Sequence, residues 1–421
     1  MQNLGRKLGG MERLFYQQNL VGSGNLTSIL FFEGTIDLEE IPKALLRLQI
    51  AFPSLTNRIV ADPKLRFVVG SGILPYEVIE RQDDEHFRRL ARSEVRRQYS
   101  DTRIHFTFLV GPDKGEIIVA ADHVLADAKS LYALCELFIE AMHGRELSYV
   151  PMGDAWENRL PKEYRGLAGI VKTYRFIKKI FAGSPEIAMK FGHDVDHVHT
   201  ESFGFKMDKS ILKDLKANTD RHQSNLNSIF CAAAVLAAHE IYRNKEPGIV
   251  CLNTPVSVRD QIVPPAAPEE MGMFISAFLQ WHKLDENTDI WELARNILAT
   301  IKSGVGAGEA LMLGKLAAGP KKPEKPKPDK NRQRFTQSIT VSNPGRLVPF
   351  KNLPDAKIVG YRNLGSLWTQ ESITVVVLGY GDYLYVDAEI SVERLGHFPK
   401  AAENLADGIR QRILAAAQPN A

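Results

Sequence analysis

Glu116-Ile117-Ile118-Val119-Ala120-Ala121-Asp122-His123-Val124-Leu125-Ala126-Asp127-Ala128 is the stretch on which both fold and chemistry turn. Its first seven residues form a short, largely apolar run and predict a buried strand. A second such run, Ile104–Val110, precedes it. The spacer Gly111-Pro112-Asp113-Lys114-Gly115 between them is a hairpin signal. Beyond the strand, Leu131, Leu134, Cys135, Phe138, Ile139 and Met142 recur at helical spacing, predicting a helix over 128–143 that Gly144 stops. His123 therefore falls where a strand ends and a helix approaches, a place where a side chain is both held and accessible.

Histidine titrates near neutral pH, so it can take a proton and return it later. A hydroxyl or amine is a weak nucleophile until its proton is removed, which is the service such a residue can supply. His123 is one of eleven histidines. Its setting of strand, His-x-x-x-Asp and helix distinguishes it. Asp127 by itself also reads as an ordinary N-terminal helix cap.

Outward from this centre the chain alternates strands and helices. Ser28–Gly34 predicts a strand, 37–52 a helix capped by Asp37, 67–69 part of a strand, and 84–98 a charged helix. In the second half, strands are expected at 203–207, 248–256, 273–279, 336–342, 372–378 and 384–390. Helices are expected at 208–217, 227–242 and from 394 or later to 416. This is an α/β pattern with mixed sheets. It divides into an N-terminal lobe, 1–180, with the His-x-x-x-Asp motif and a linker helix, and a C-terminal lobe, 181–421. The latter carries a Pro/Lys-rich stretch at about 319–334 that lacks apolar side chains to bury and predicts a mobile loop.

In the linker helix, Leu167, Ile170, Val171, Tyr174, Ile177 and Phe181 share one face, while Lys172, Arg175, Lys178 and Lys179 point elsewhere. One reading packs the apolar face on the core and solvates the basic one. The other makes the region near 165–181 a docking surface for an acidic acyl carrier protein or an anionic membrane surface.

A chain of 421 residues is too long for one ordinary core, so two domains are expected. With 44% hydrophobic and 24% charged residues it is globular, and a net charge of +3 gives no ground for a nucleic-acid partner. Cys135, Cys231 and Cys251 lie apart in apolar runs and predict buried free thiols. The N-terminus shows no apolar signal segment and no run approaches a bilayer span, so a cytoplasmic location is expected, with a peripheral membrane position left open. His193, His197 and His199 alternate and would share one face of a strand, as metal ligands or as a polar surface strand. The sequence reading favours the latter and assigns no metal.

Asp122-His123-Val124-Leu125-Ala126-Asp127-Ala128 resembles the HHxxxDG signature of the chloramphenicol acetyltransferase-like acyltransferases, which include condensation domains, alcohol acetyltransferases and polyketide-associated acyltransferases. Met11-Glu12-Arg13-Leu14-Phe15, Thr254-Pro255-Val256-Ser257-Val258-Arg259 followed by Gly272-Met273-Phe274, and Val341-Ser342-Asn343-Pro344-Gly345 are similar to further family segments, in the same order. The resemblance implies two such lobes with an active-site channel between them and His123 as general base. It further implies a structural Asp127 paired with Arg259, and substrate contacts from Ser342, Asn343 and Gly345. The Ser342–Gly345 string is equally compatible with a plain turn after a strand. The implied activity moves an acyl group from acyl-CoA or an acyl carrier protein to a hydroxyl or amine, with no bound cofactor, in secondary metabolism or lipid biosynthesis. Asp122 stands where the family has its first histidine, and Ala128 where it has glycine. These departures keep two alternatives in view: a non-catalytic condensation-like binding or docking module, and a stand-alone amide-forming condensation enzyme.

Overall fold

Two mixed sheets organise the chain, each in its own compact unit. The computed structural model describes residues 5–20, 24–61, 64–70, 72–99, 101–183, 188–191, 199–317, 338–367 and 371–418. The first unit comprises Met1–Pro161, Val258–Ile275 and Val348–Ser366. The second comprises Lys162–Ser257, Ser276–Leu347 and Leu367–Ala421. A split at 180/181 is therefore corrected in two ways. Residues 258–275 and 348–366 pack with the first unit, and the linker helix packs with the second.

The first unit holds α1 (Gly10–Asn19), β1 (Asn25–Gly34), α2 (Glu40–Ala51), β2 (Asn57–Ala61), β3 (Leu65–Val69), β4 (Tyr76–Glu80), α3 (Asp84–Val95), β5 (Ile104–Val110), β6 (Lys114–Asp122) and α4 (Ala128–Met142). The second holds α5 (Gly166–Gly183), β7 (Thr200–Asp208), α6 (Ser210–Arg221), α7 (Leu226–Arg243), β8 (Gly248–Ser257), β9 (Ile275–Leu284), α8 (Ile290–Ala307), α9 (Glu309–Ala317) and β10 (Ile339–Leu347). The chain then returns to the first unit for β11 (Ala356–Gly365). It ends in the second with β12 (Ile373–Tyr380), β13 (Tyr383–Ser391), α10 (Val392–Leu395) and α11 (Ala401–Ala416).

The first sheet runs β11-β1-β6-β5-β4. β5 and β6 form the expected antiparallel hairpin, and β1 covers the other edge of β6, with Asn25 opposite Asp122. Flanked on both sides, β6 buries every residue from Gly115 to Asp122. α4 is held against this sheet by Phe138, whose ring centroid lies 6.0 Å from Phe106 and 5.6 Å from Phe108. Strand end and helix start are thus both fixed to one core. That clamps the short turn carrying His123.

The second sheet runs β7-β13-β12-β10-β8-β9, with β10 parallel to both β8 and β12. α7 is lined with small side chains, Ala232, Ala233, Ala234, Ala237 and Ala238 being fully buried, and it packs against α11. The close approach reaches Gly408, where a Cβ would sit 3.3 Å from Ala237. The three cysteines are buried and free, as expected, and burial pushes their thiols well up, to about 12 for Cys231 and Cys251.

The apolar side of α5 does not pack on a core. Leu167, Ile170, Val171 and Tyr174 are exposed, while Phe176 is buried. The Pro/Lys-rich stretch near 319–334 lies outside the described residues, as do His193 and His197. His199 is described and pairs through Nδ1 with Glu393.

Candidate active site

His123 occupies the first position after β6, in a three-residue turn before Asp127 caps α4. Two anchors hold its backbone. The His123 N–H donates to the Gly24 carbonyl at 2.9 Å. Asp122 Oδ1 accepts from Val124 N at 3.0 Å, closing an Asx turn around His123. Gly24 is itself set by Asn25, whose side chain bonds Asn19 and the carbonyls of Val95 and Arg97. The imidazole lies against Phe15, with ring centroids 4.6 Å apart at 52°.

Nδ1 of His123 is buried, with no regular hydrogen bond among the described residues. Burial lowers the ring's pKa below its ordinary 6.5, because the charged form loses its water. The negative charge of Asp127 and the carbonyls of His123 and Ala126 act the other way without overcoming it. At neutral pH the ring is therefore the neutral form, ready to accept a proton.

Asp122 is fully buried and paired with Arg103, Nη1 to Oδ2 at 3.2 Å. Burial drives its pKa up to about 6, opposed by the Val124 N–H and by Arg103. Its carboxylate shapes the His123 turn. Sequence reasoning missed Arg103, although the hairpin register carried the signal. With Ile104 opposite Ala121, Arg103 falls beside Asp122 as an opposite-charge pair.

Asp127 is both a helix cap and an ion-pair partner. Oδ1 accepts from Ser130 N at 2.8 Å, from Ser130 Oγ at 2.8 Å and from Arg259 Nη2 at 3.1 Å; Oδ2 accepts from Phe274 N at 3.1 Å. Arg259 also donates to Ser130 Oγ at 2.7 Å and to the Ala267 and Glu270 carbonyls at 3.1 Å each, and its guanidinium lies 4.4 Å from the Phe274 ring centroid. Asp127 N donates to the Gly272 carbonyl at 3.0 Å, adding a backbone tie. Three neutral donors and one cation compensate a carboxylate that is only 2% exposed. Ser130 was not anticipated, although its place three residues after a capping aspartate is a helix-start signal.

Ser342, Asn343 and Gly345 lie in the second unit, on β10. The strand does not end there. The register against β12 slips between Ser342 and Gly345, so Asn343 and Pro344 bulge and pairing resumes to Leu347. Asn343 Oδ1 accepts from Gly345 N at 2.9 Å, and Nδ2 donates to Asn227 Oδ1 at 3.1 Å. Gly345 has φ +89°, which explains glycine at that point. The turn-after-strand reading is thus corrected to a bulge within a strand.

Comparison with known proteins agrees with this architecture. The family model described as phthiocerol/phthiodiolone dimycocerosyl transferase C-terminus matches residues 204–367. The phthiocerol/phthiodiolone dimycocerosyl transferase of Mycobacterium tuberculosis (strain ATCC 25618 / H37Rv) is 23% identical over 327 residues, covering 72% of this chain and 74% of that protein. The first condensation domain of the calcium-dependent antibiotic synthetase, solved with a substrate analogue, superposes with a TM-score of 0.75 at 15% identity, over 99% of this chain and 98% of that one. This chain has the fold of that condensation domain. The starter condensation domain of rhizomide synthetase RzmA, solved with C8-CoA and Leu-SNAC, superposes with a TM-score of 0.68 at 14% identity, over 98% and 95% of the two chains. Ala128 is the first residue of α4, half-buried, directly after the capping Asp127.

Proposed function

We propose that this chain transfers an acyl group from a thioester, carried by coenzyme A or an acyl carrier protein, to a hydroxyl or amine acceptor, with His123 as the general base. The observation that carries this reading is the state of His123: a burial-favoured neutral imidazole on a turn fixed by β6, Asp122 and the Asp127 cap. With Nδ1 buried, Nε2 is the ring nitrogen left to meet a reacting group.

In this mechanism Nε2 removes the acceptor's proton as its oxygen or nitrogen attacks the thioester carbonyl. The tetrahedral intermediate collapses with cleavage of the C–S bond, and the imidazolium proton goes to the departing thiolate. Bond formed, bond broken and proton balance without any further reagent. A well-placed general base contributes about 10²–10⁴ in rate. Holding donor and acceptor together contributes up to ~7–11 kcal/mol more. Asp127 and Arg259 do not take protons in this scheme. They hold the start of α4, and with it the geometry of the His123 turn. The acyltransferase named among the relatives and the C8-CoA bound by a structural neighbour support this donor class.

The test is mass spectrometry of products from a panel of acyl-CoA and acyl-carrier thioesters offered with alcohols and amines. An acylated acceptor appearing with an equal amount of free thiol is the expected result. Thioester binding without turnover across the whole panel would overturn it.

A further inference from the structure

The outward side of α5 carries a stripe of large apolar side chains. At 3.6 residues per turn, Leu167, Ile170, Val171 and Tyr174 fall on one stripe. They are 82%, 60%, 49% and 66% exposed. On the opposite side Gly169 and Phe176 are buried, and Thr173 Oγ1 donates to the Gly169 carbonyl at 2.7 Å. Lys172 Nζ lies 4.1 Å from the Tyr164 ring centroid, and Lys179 pairs with Glu309 of α9 at 2.5 Å. The helix thus meets its own unit through buried Phe176 and Gly169 and the Lys179–Glu309 pair, and turns four large apolar side chains to solvent. Singly scattered apolar residues are ordinary on a surface, but a contiguous stripe marks a contact.

The charge around the stripe is one-sided. Residues 162–183 hold Lys162, Arg165, Lys172, Arg175, Lys178 and Lys179 against a single acid, Glu163, although the whole chain carries only +3. Arg175 and Lys178 are exposed on the outward half of α5, beside the stripe. No described helix is long and apolar enough to cross a membrane. An apolar ridge flanked by cations suits a flat anionic interface: the apolar side chains enter the acyl boundary while lysine and arginine meet phosphate and carboxylate head groups.

We propose that α5 is an interfacial helix that seats the protein on an anionic lipid surface through Leu167, Ile170, Val171 and Tyr174, with Arg175 and Lys178 supplying the charge contact. Co-sedimentation of the full chain with phosphatidylserine/phosphatidylcholine vesicles, and with pure phosphatidylcholine vesicles, tests it. Binding is expected to the anionic vesicles, falling as salt is raised, and to be weak on the neutral ones. Each cation at such a surface contributes about fivefold in partitioning, so R175Q/K178Q should lower binding by about 25-fold. L167S/I170S/Y174S should lose binding while circular dichroism and melting stay unchanged, since all three sites are exposed. Absence of binding to the anionic vesicles overturns the proposal, as does binding that both variants retain. An acyl carrier protein captured through the same residues, with vesicles ignored, also overturns it and makes α5 a protein-docking face. None of these readouts depends on acyl transfer, so the proposal stands or falls apart from the catalytic assignment.

Discussion

Replacing Arg259 with leucine strands a buried carboxylate, and the structure sets the size of the effect. Asp127 would lose the guanidinium at 3.1 Å but keep its bonds from Ser130 N, Ser130 Oγ and Phe274 N. Ser130 Oγ would lose a donor at 2.7 Å, and the Ala267 and Glu270 carbonyls would lose theirs. Breaking a buried pair from one side typically costs ~3–5 kcal/mol. The three surviving donors place this case near the lower figure. For a unit of ~200 residues, about 3 kcal/mol corresponds to a fall in melting temperature of roughly 6–12 °C. Differential scanning calorimetry of Arg259→Leu, Asp127→Leu and the double variant reads it. The double variant is expected to be less destabilised than the sum of the singles, because removing both partners leaves no buried charge behind. An Arg259→Leu protein melting within about 1 °C of wild type would refute the reasoning, as would strict additivity across the cycle.

Two further outcomes follow from the second unit. His282 on β9 is 8% exposed, and burial pushes its pKa down to about 4. The unfolded chain, titrating near 6.5, binds the extra proton in that window. Stability is therefore full above pH 6.5 and falls by about 3 kcal/mol as pH drops toward 4. His282→Phe should remove that part of the acid dependence in melts taken across the range. A Cβ on Gly345 meets nothing within 4 Å, yet its φ is +89°. Gly345→Ala should thus cost roughly 1–3 kcal/mol from backbone strain alone, read as a shift in urea midpoint. An unchanged midpoint would remove the account of glycine at the bulge.

Much of this architecture was legible because its signals are local. The β5–β6 hairpin shows in Gly111–Gly115, and α4 in the spacing from Leu131 to Met142. The same register would have given Arg103 opposite Asp122. What escaped depends on distant partners. β11 mixes Lys357, Arg362 and Asn363 into a strand whose place is fixed only by pairing with β1, more than three hundred residues earlier. The bulge at Asn343 shows only when β12 supplies a register. The α5 periodicity was legible, but its direction was not. Hydrophobic spacing identifies a stripe without saying whether the stripe faces a core or solvent.

Chemistry at His123 is the central claim, and one variant addresses it most directly. Single-turnover acyl transfer, followed by thiol release and product mass, should be compared for wild type and His123→Ala with a thioester and acceptor that the wild type uses. A loss of about 10²–10⁴ in rate, with the melting temperature and thioester binding retained, is the expected result. Transfer by His123→Ala at the wild-type rate would contradict the assignment.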